Sequence, residues 1–393
     1  MGRKISNSCR IKILNPTVAS HGYGSANILF VAGFPLKADL NNGIALSGSN
    51  EETLNQFLRS ERLNIKHTYR SLYIREKLDY SGTNSRRLRE ALKKVDTEGY
   101  KQLLFDEIHD LNPNVIVPLD DIALSVVFPH INAIKKPKGR RHWMNCYRGS
   151  ILPFNEDWQA KHGYDKPIKV IPTFGPQYLY SDWKSRAYVR VDYERIAKYS
   201  KTQDVFKEPG ILWVTKTYES LLGFVSRQYA KLPTRVSFDV ETYGGMLTCI
   251  SFCFDGEEAV SVPLAYNDAI SMAEKVLLWK LVSQILADPR TEKNNQNIKY
   301  DWTILERHGF IVDDSAGISD TMIKAGLLYP ELLKGLDFLT SIYTEIPYYK
   351  DEGKNFDPRM GKDRLYLYNA KDALAAHLVA EAQDIELKEL ETA

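Results

Sequence analysis

The stretch Arg235-Val-Ser-Phe-Asp-Val-Glu-Thr-Tyr243 constrains this chain more than any other. It reads as a short buried strand, Val236 to Val240, that ends in two acids. Asp239 and Glu241 are two residues apart, so on a strand both side chains point to the same side. Two like charges on one face repel each other unless a cation sits between them. The pair points to a site for a hard divalent metal. The plainer alternative is a solvated strand end with two surface acids. Residues further along the chain decide between the two.

The length of 393 residues implies two or three domains, and 44% hydrophobic with 26% charged residues fits an ordinary globular protein. No run of 18 or more apolar residues is present, so no membrane span is expected. Met1-Gly-Arg-Lys-Ile5 lacks the apolar core of a signal peptide and is a poor myristoylation signal. Cys9, Cys146, Cys249 and Cys253 form no Cys-x-x-Cys pair. Scattered cysteines argue for a reducing, cytoplasmic setting and against a zinc or iron–sulfur site. The net charge of +2 hides an asymmetry: residues 1–200 hold 31 Lys+Arg against 20 Asp+Glu, or +11. The remainder then holds 52 − 31 = 21 against 50 − 20 = 30, or −9. A basic half could bind a polyanion while an acidic half binds metals; two ordinary domains would give the same numbers.

In the first half, Asn27–Ala32, Asn114–Leu119 and Pro167–Pro172 read as buried strands. Helices are expected over Glu51–Leu63, from Ser85 to about Val95 with Asn84 as cap, over Tyr100–Leu111, after Asp120 or Asp121, and from about Ser185 to Tyr199. Alternation of strand and helix predicts a three-layer α/β/α domain on a parallel sheet. Ligands of such sheets bind at the carboxyl ends of the strands, here Gly33-Phe34-Pro35 and Thr173-Phe174-Gly175-Pro176. Lys135, Lys136, Lys138, Arg140, Arg141 and Arg148, interleaved with Trp143 and Tyr147, read as a nucleic-acid contact or as a solvated basic loop.

Residues 26–200 resemble the uracil-DNA glycosylase superfamily. The features that carry this are Val31-Ala-Gly-Phe-Pro35, the Gly43-to-Gly48 turn, Val115-Ile-Val-Pro-Leu119 and Val170-Ile-Pro-Thr-Phe-Gly-Pro-Gln-Tyr-Leu179. The departures bear on chemistry. Gly33 stands where the family has a water-positioning polar residue, and Gly175 where it has a histidine. The base-stacking aromatic is missing near Ala45 and Leu46, and the base-reading asparagine near Ser71. Base excision needs a pocket and a water-positioning group. The resemblance therefore implies a glycosylase-like domain without glycosylase activity.

Lys201–Gly210 is polar, ends in Pro-Gly and reads as a linker, dividing the chain into residues 1–205 and 206–393. Beyond it, Ile211–Thr215 reads as a strand and Tyr218–Tyr229 as a helix. Met246–Phe254 and Ala259–Leu264 read as antiparallel strands, and Ala269–Leu286 as a helix. Gln296-Asn-Ile-Lys-Tyr-Asp301 opens a helix, with Asp301 as a possible N-cap. Asp320-Thr-Met322 opens another. In Tyr366–His377, also helical, Tyr368 and Asp372 are four apart and share one face.

Asp-x-Glu, then Asn-x-x-x-Asp, then Tyr-x-x-x-Asp, in this order, resembles the DEDD exonuclease superfamily, tyrosine subtype. Gln296-Asn-Ile-Lys-Tyr-Asp301 and Asp320-Thr-Met322 look like the proofreading domain of family A DNA polymerases. The resemblance covers about residues 210–390 and implies an RNase H-like (DnaQ-like) domain with a mixed sheet. It implies 3′→5′ hydrolysis of DNA with two Mg²⁺ or Mn²⁺ ions. Asp239, Glu241 and Asp372 would hold the first ion and Asp301 would support the second. Tyr368 would orient the attacking hydroxide. Gln296 and Asn297 would contact the terminal nucleotide. The implied partners are single-stranded or frayed DNA 3′ ends, a polymerase domain in cis and replisome proteins, with no membrane. The implied setting is the cytoplasm of a phage-infected bacterium. The chain stops within a charged helix where the thumb and polymerase domains of such enzymes follow, so a longer native frame is expected. The alternatives are a bifunctional repair protein with an active glycosylase half, and an RNase D-like RNA exonuclease.

Overall fold

The computed structural model describes residues 17–80, 85–133, 142–163, 167–204, 206–265, 270–352 and 362–392. The chain forms two compact units, Met1–Phe206 and Lys207–Ala393. The division falls within the polar Lys201–Gly210 stretch. Lys135, Lys136, Lys138, Arg140 and Arg141 lie outside the described residues, as does Asn84.

The first unit is built on β1 (His21–Gly22), β2 (Ile28–Ala32), β3 (Thr68–Leu72), β4 (Val115–Pro118), β5 (Leu152–Pro153) and β6 (Lys169–Val170), in the order β1-β3-β2-β4-β6-β5. The four central strands are parallel, but β1 and β5 pair antiparallel with β3 and β6. The sheet is thus mixed, which corrects the expectation of a purely parallel one. Both added strands are two-residue edges, and Pro153 can sit in a ladder only at an edge, because it has no N–H to donate. The third strand, β3, is also absent from the sequence reading. Its buried face is polar: Arg70 is paired with Glu51 at 2.6 Å and donates to Asn55 at 2.6 Å, both on the Ser49–Ser60 helix. A strand whose burial depends on ion pairing carries no hydrophobic periodicity to detect.

Side-chain caps set several of the helix starts. Asp96 accepts from Gly99 N at 3.1 Å, so the helix expected from Tyr100 begins at Thr97. Asp120 caps the Asp121–Val127 helix through Ile122 N and Ala123 N, and also accepts from Gly33 N at 2.6 Å. The chain runs from β2 to β3 on one side of β2 and returns to β4 on the other. This reversal opens a crevice beyond the carboxyl ends of β2 and β4.

The second unit has β7 (Ile211–Val214), β8 (Arg235–Tyr243), β9 (Met246–Cys253), β10 (Glu258–Pro263), β11 (Glu292–Asn295) and β12 (Ile318–Asp320), in the order β12-β11-β8-β9-β10-β7. The β8–β9–β10 pairings are antiparallel and the other three are parallel, so this sheet is mixed. Period-two alternation sorts β8 onto two faces. Val236, Phe238 and Val240 enter the apolar core with Ile250, Phe252 and Leu281. Ser237, Asp239 and Glu241 face the other way, toward the long Asp363–Glu391 helix, which packs across β7 to β11. Ser237 Oγ meets His377 Nδ1 there at 3.0 Å, and Ser251 Oγ donates to the Asn369 carbonyl at 2.7 Å. The far end of the helix is tied down by Asp384, which accepts from Arg235 and Lys324. No helix among the described residues is long and apolar enough to cross a membrane.

Candidate active site

The strand-borne acids and the helix-borne acid meet in the second unit. Asp239 and Glu241 on β8 and Asp372 on the long helix each offer a carboxylate oxygen, all within 4.8 Å of one another. Asp301 sits in the first turn of the Ile298–Arg307 helix and is buried, with Oδ1 accepting from Val240 N at 2.9 Å. Asp301 is therefore no N-cap: Asn297 takes that place in left-handed backbone, φ +58°. Asp320 is a cap for the Thr321–Leu328 helix, accepting from Met322 N at 2.8 Å. The same carboxylate accepts from Asn297 N and Ile298 N, so it also sets the start of the helix that carries Asp301.

The electrostatics are those of crowded anions. Burial, then repulsion from Asp372, Asp301 and Glu241, holds the Asp239 carboxyl well above the usual range. Burial and then Asp372 push Glu241 up to about 7, with Lys350 opposing. Burial pushes Asp301 up to about 7 against the stabilising Val240 N–H. Burial and the neighbouring Asp372 raise both Tyr349 and Tyr368 above the phenol range, so both are neutral donors. Tyr368 stands near Asp372 as the four-residue spacing requires, and Lys350 Nζ donates to its hydroxyl at 3.1 Å.

Three residues of this site were not singled out from the sequence. Asn369 is fully buried and donates to the Asp239 carbonyl at 3.0 Å and to Asp239 Oδ2 at 2.9 Å. Its own amide oxygen accepts from Ser261 at 2.8 Å, so Asn369 fixes the Asp239 rotamer from behind. A signal was available: asparagine is a poor interior helix residue, yet it lies between Tyr368 and Asp372. Tyr349 and Lys350 each donate to Asp372 Oδ1, both at 2.6 Å. No spacing rule marks either of them.

Of the two residues expected to touch a nucleotide, Asn297 is exposed. Gln296 is half-buried and its amide is engaged within the protein, donating to the Lys334 carbonyl at 2.6 Å and accepting from Thr321 Oγ1. In the first unit, Arg148, Trp143 and Tyr147 are buried, which corrects their reading as phosphate and base contacts. They belong to the short Met144–Tyr147 helix and its flanks, and Arg148 forms a buried ion pair with Asp192.

The crevice of the first unit is a cavity of about 280 Å³. Phe34, Phe174, Gly175, Tyr178, Asp121 and His142 are among the residues that line it. A Cβ on Gly33 would lie 2.8 Å from Asp120 Oδ1 and 2.8 Å from Ile122 Cβ. That position has no room for a side chain. Ser71 is buried and donates to Glu107 at 2.8 Å, within an Arg75–Glu107 ion pair.

Residues 214–384 match the family model of the 3′-5′ exonuclease domain of the DNA polymerase A type, which is less than half of the chain. The second unit therefore carries a 3′-5′ exonuclease domain. Among solved structures, the chain is similar to the POL domain of Pol1 from M. smegmatis in complex with DNA primer-template and dNTP. That match has 18% identity and a TM-score of 0.34, and covers 46% of this chain and 28% of that one. It is similar to E. coli RNase D, an exoribonuclease, at 19% identity and a TM-score of 0.37, covering 46% of each chain. It is also similar to the EXD2 exonuclease domain soaked in Mn, at 17% identity and a TM-score of 0.24, covering 43% of this chain and 87% of that one. The chain thus spans less than half the length of the first two. No curated protein matches it.

Proposed function

We propose that the second unit removes nucleotides one at a time from DNA 3′ ends, single-stranded or frayed, releasing 5′-mononucleotides, as the proofreading module of a family A DNA polymerase. The observation that carries this reading is the convergence of Asp239, Glu241 and Asp372 oxygens to within 4.8 Å. The donor set is all carboxylate, which suits Mg²⁺ or Mn²⁺. The fit is supported by the cation already drawn to it, since the Lys350 ammonium lies 2.6 Å from Asp372. Asp239, Glu241 and Asp372 would hold the first ion and Asp301 would support the second. Bound ions would supply charge relief on the phosphate and a nucleophile made from water. Asn369 keeps the Asp239 carboxylate aimed into the site, and Tyr368, a neutral phenol, is available to donate to a reacting oxygen. Exposed Asn297 is the residue we assign to the terminal nucleotide.

The direct test is a 3′-labelled single strand incubated with the protein and Mg²⁺. Stepwise mononucleotide release that EDTA abolishes and Mg²⁺ or Mn²⁺ restores is the expected result. Release that persists in EDTA would sink the metal reading. Cleavage of RNA in preference to DNA would favour the RNase D-like alternative.

The raised acids give a pH dependence with a definite sign. Glu241 titrates near 4.5 when unfolded and at about 7 in the folded, metal-free protein. Folding therefore takes up protons between these values, and stability contributed by this group falls as pH rises from about 4.5 to about 7. Asp301 acts in the same direction. In EDTA, Glu241→Gln combined with Asp301→Asn should flatten the fall in melting temperature across this window. An unchanged profile would refute the assignment.

We read the first unit as a glycosylase-like scaffold or DNA-contacting domain that excises no base. The support is Gly33, whose position excludes any water-positioning side chain, and buried Ser71 where a base-reading group would stand. Uracil excision from labelled DNA would replace this with the bifunctional reading.

A further inference from the structure

Among the described residues, Lys350 is a cation in direct contact with the acids that the proposed function assigns to metal. Its Nζ lies 2.6 Å from Asp372 Oδ1 and 3.1 Å from the Tyr368 hydroxyl. The Tyr349 and Tyr368 rings flank it, with centroids 5.2 Å and 5.0 Å from Nζ. Its side chain is 19% exposed and that of Asp372 is 6% exposed, so water screens the pair only partly. The site otherwise gathers Asp239, Glu241, Asp301 and Asp372, an arrangement that like-charge repulsion opposes. An ammonium on a flexible four-carbon stem can move off a carboxylate without losing all its partners, because the two aromatic faces offer it a neighbouring resting place.

We propose that Lys350 is a resident counter-cation: it holds the carboxylates together while no divalent ion is bound, and it yields Asp372 when one arrives. This rests on the metal reading above and adds a residue to it. Two consequences follow. The metal-free protein keeps its site assembled without needing the ion to fold. The ion, in turn, binds less tightly than four carboxylates would allow, because it must displace a charge that is already there.

The test compares the full chain with Lys350→Met, Lys350→Arg and the double variant Lys350→Met/Asp372→Asn. Mn²⁺ binding is followed by calorimetry and melting temperature is measured in EDTA. Lys350→Met should bind Mn²⁺ about tenfold more tightly than wild type. In EDTA it should melt about 5 °C lower, with a larger rise on adding Mn²⁺. Lys350→Arg keeps the charge and should melt close to wild type in EDTA. The double variant should recover most of the lost melting temperature, since it removes the charge that Lys350 neutralises. If Lys350→Met does not fold in EDTA, folding restored by Mn²⁺ or by Asp372→Asn supports the proposal, and failure of both overturns it. Unchanged or weakened Mn²⁺ binding by a folded Lys350→Met also overturns it. Wild-type protein that binds no Mn²⁺ would instead remove the metal reading itself.

Discussion

Asp239→Asn should abolish stepwise mononucleotide release from a 3′-labelled single strand in Mg²⁺, by more than about 100-fold. Losing a partner one shell outside a metal already costs about 10–100-fold, and Asp239 is the acid most surrounded by the others. The substitution keeps the shape of the side chain and the Asn369 hydrogen bond to the Asp239 carbonyl. It also removes a half-buried charge that three neighbours repel. Its second expected signature is therefore a melting temperature in EDTA equal to or above that of wild type. Together these readouts separate a lost reaction from a lost fold. Activity retained within tenfold of wild type would place the chemistry elsewhere in the chain.

Arg148→Met should destabilise the first unit by about 3–5 kcal/mol, the usual cost of stranding one member of a buried ion pair. Arg148 Nη2 lies 2.7 Å from Asp192 Oδ1 and Nε lies 3.2 Å from Oδ2, a two-point contact with an acid of no exposure. The guanidinium also stacks on Tyr188 at 4.7 Å, so packing is lost along with charge. Thr173 Oγ1 would remain as a partner of Asp192. Two units need not unfold together, so urea unfolding should be followed for the first unit in its own right. A change within 0.5 kcal/mol accompanied by weaker DNA binding would restore Arg148 to the surface role that its basic neighbours imply.

What the sequence made legible follows from where the information is local. The β8 strand and the helices Tyr218–Tyr229 and Ser185–Tyr199 rest on periodicity, which survives folding, whereas the meeting of Asp239 with Asp372 is implied only by the resemblance to the DEDD exonucleases. Boundaries shifted where a cap intervened, as at Asp96 and at Ser271, which caps a helix that begins at Met272; the expected start at Ala269 lies outside the described residues. Strands escaped notice where their buried residues are polar. Lys293, Asn294 and Asn295 of β11 are fully buried, and Lys293 Nζ donates to the Asp288 and Thr291 carbonyls at 2.7 Å. Nothing in the residue types Lys-Asn-Asn announces a core strand. Arg148 misled for the converse reason: a basic residue in a basic stretch reads as surface until its buried acid partner, 44 residues away, is known. Tyr349 and Lys350 were invisible because their relation to Asp372 exists only in three dimensions.

The position of β8 inside its sheet has a consequence for how this domain can change. With β9 on one side and β11 on the other, β8 has no free edge along which to slide. Its acids occupy one parity of the strand and its core residues the other. Inserting or deleting one residue ahead of Asp239 would exchange the two sets, turning both carboxylates into the apolar layer and Phe238 onto the helix. The register shifts between Glu241 and Thr242, immediately after the second acid. The irregularity in pairing thus lies beyond the two acids, at the start of the hairpin that follows. The five residues before it are held to an odd–even rule that no change of neighbour can relax.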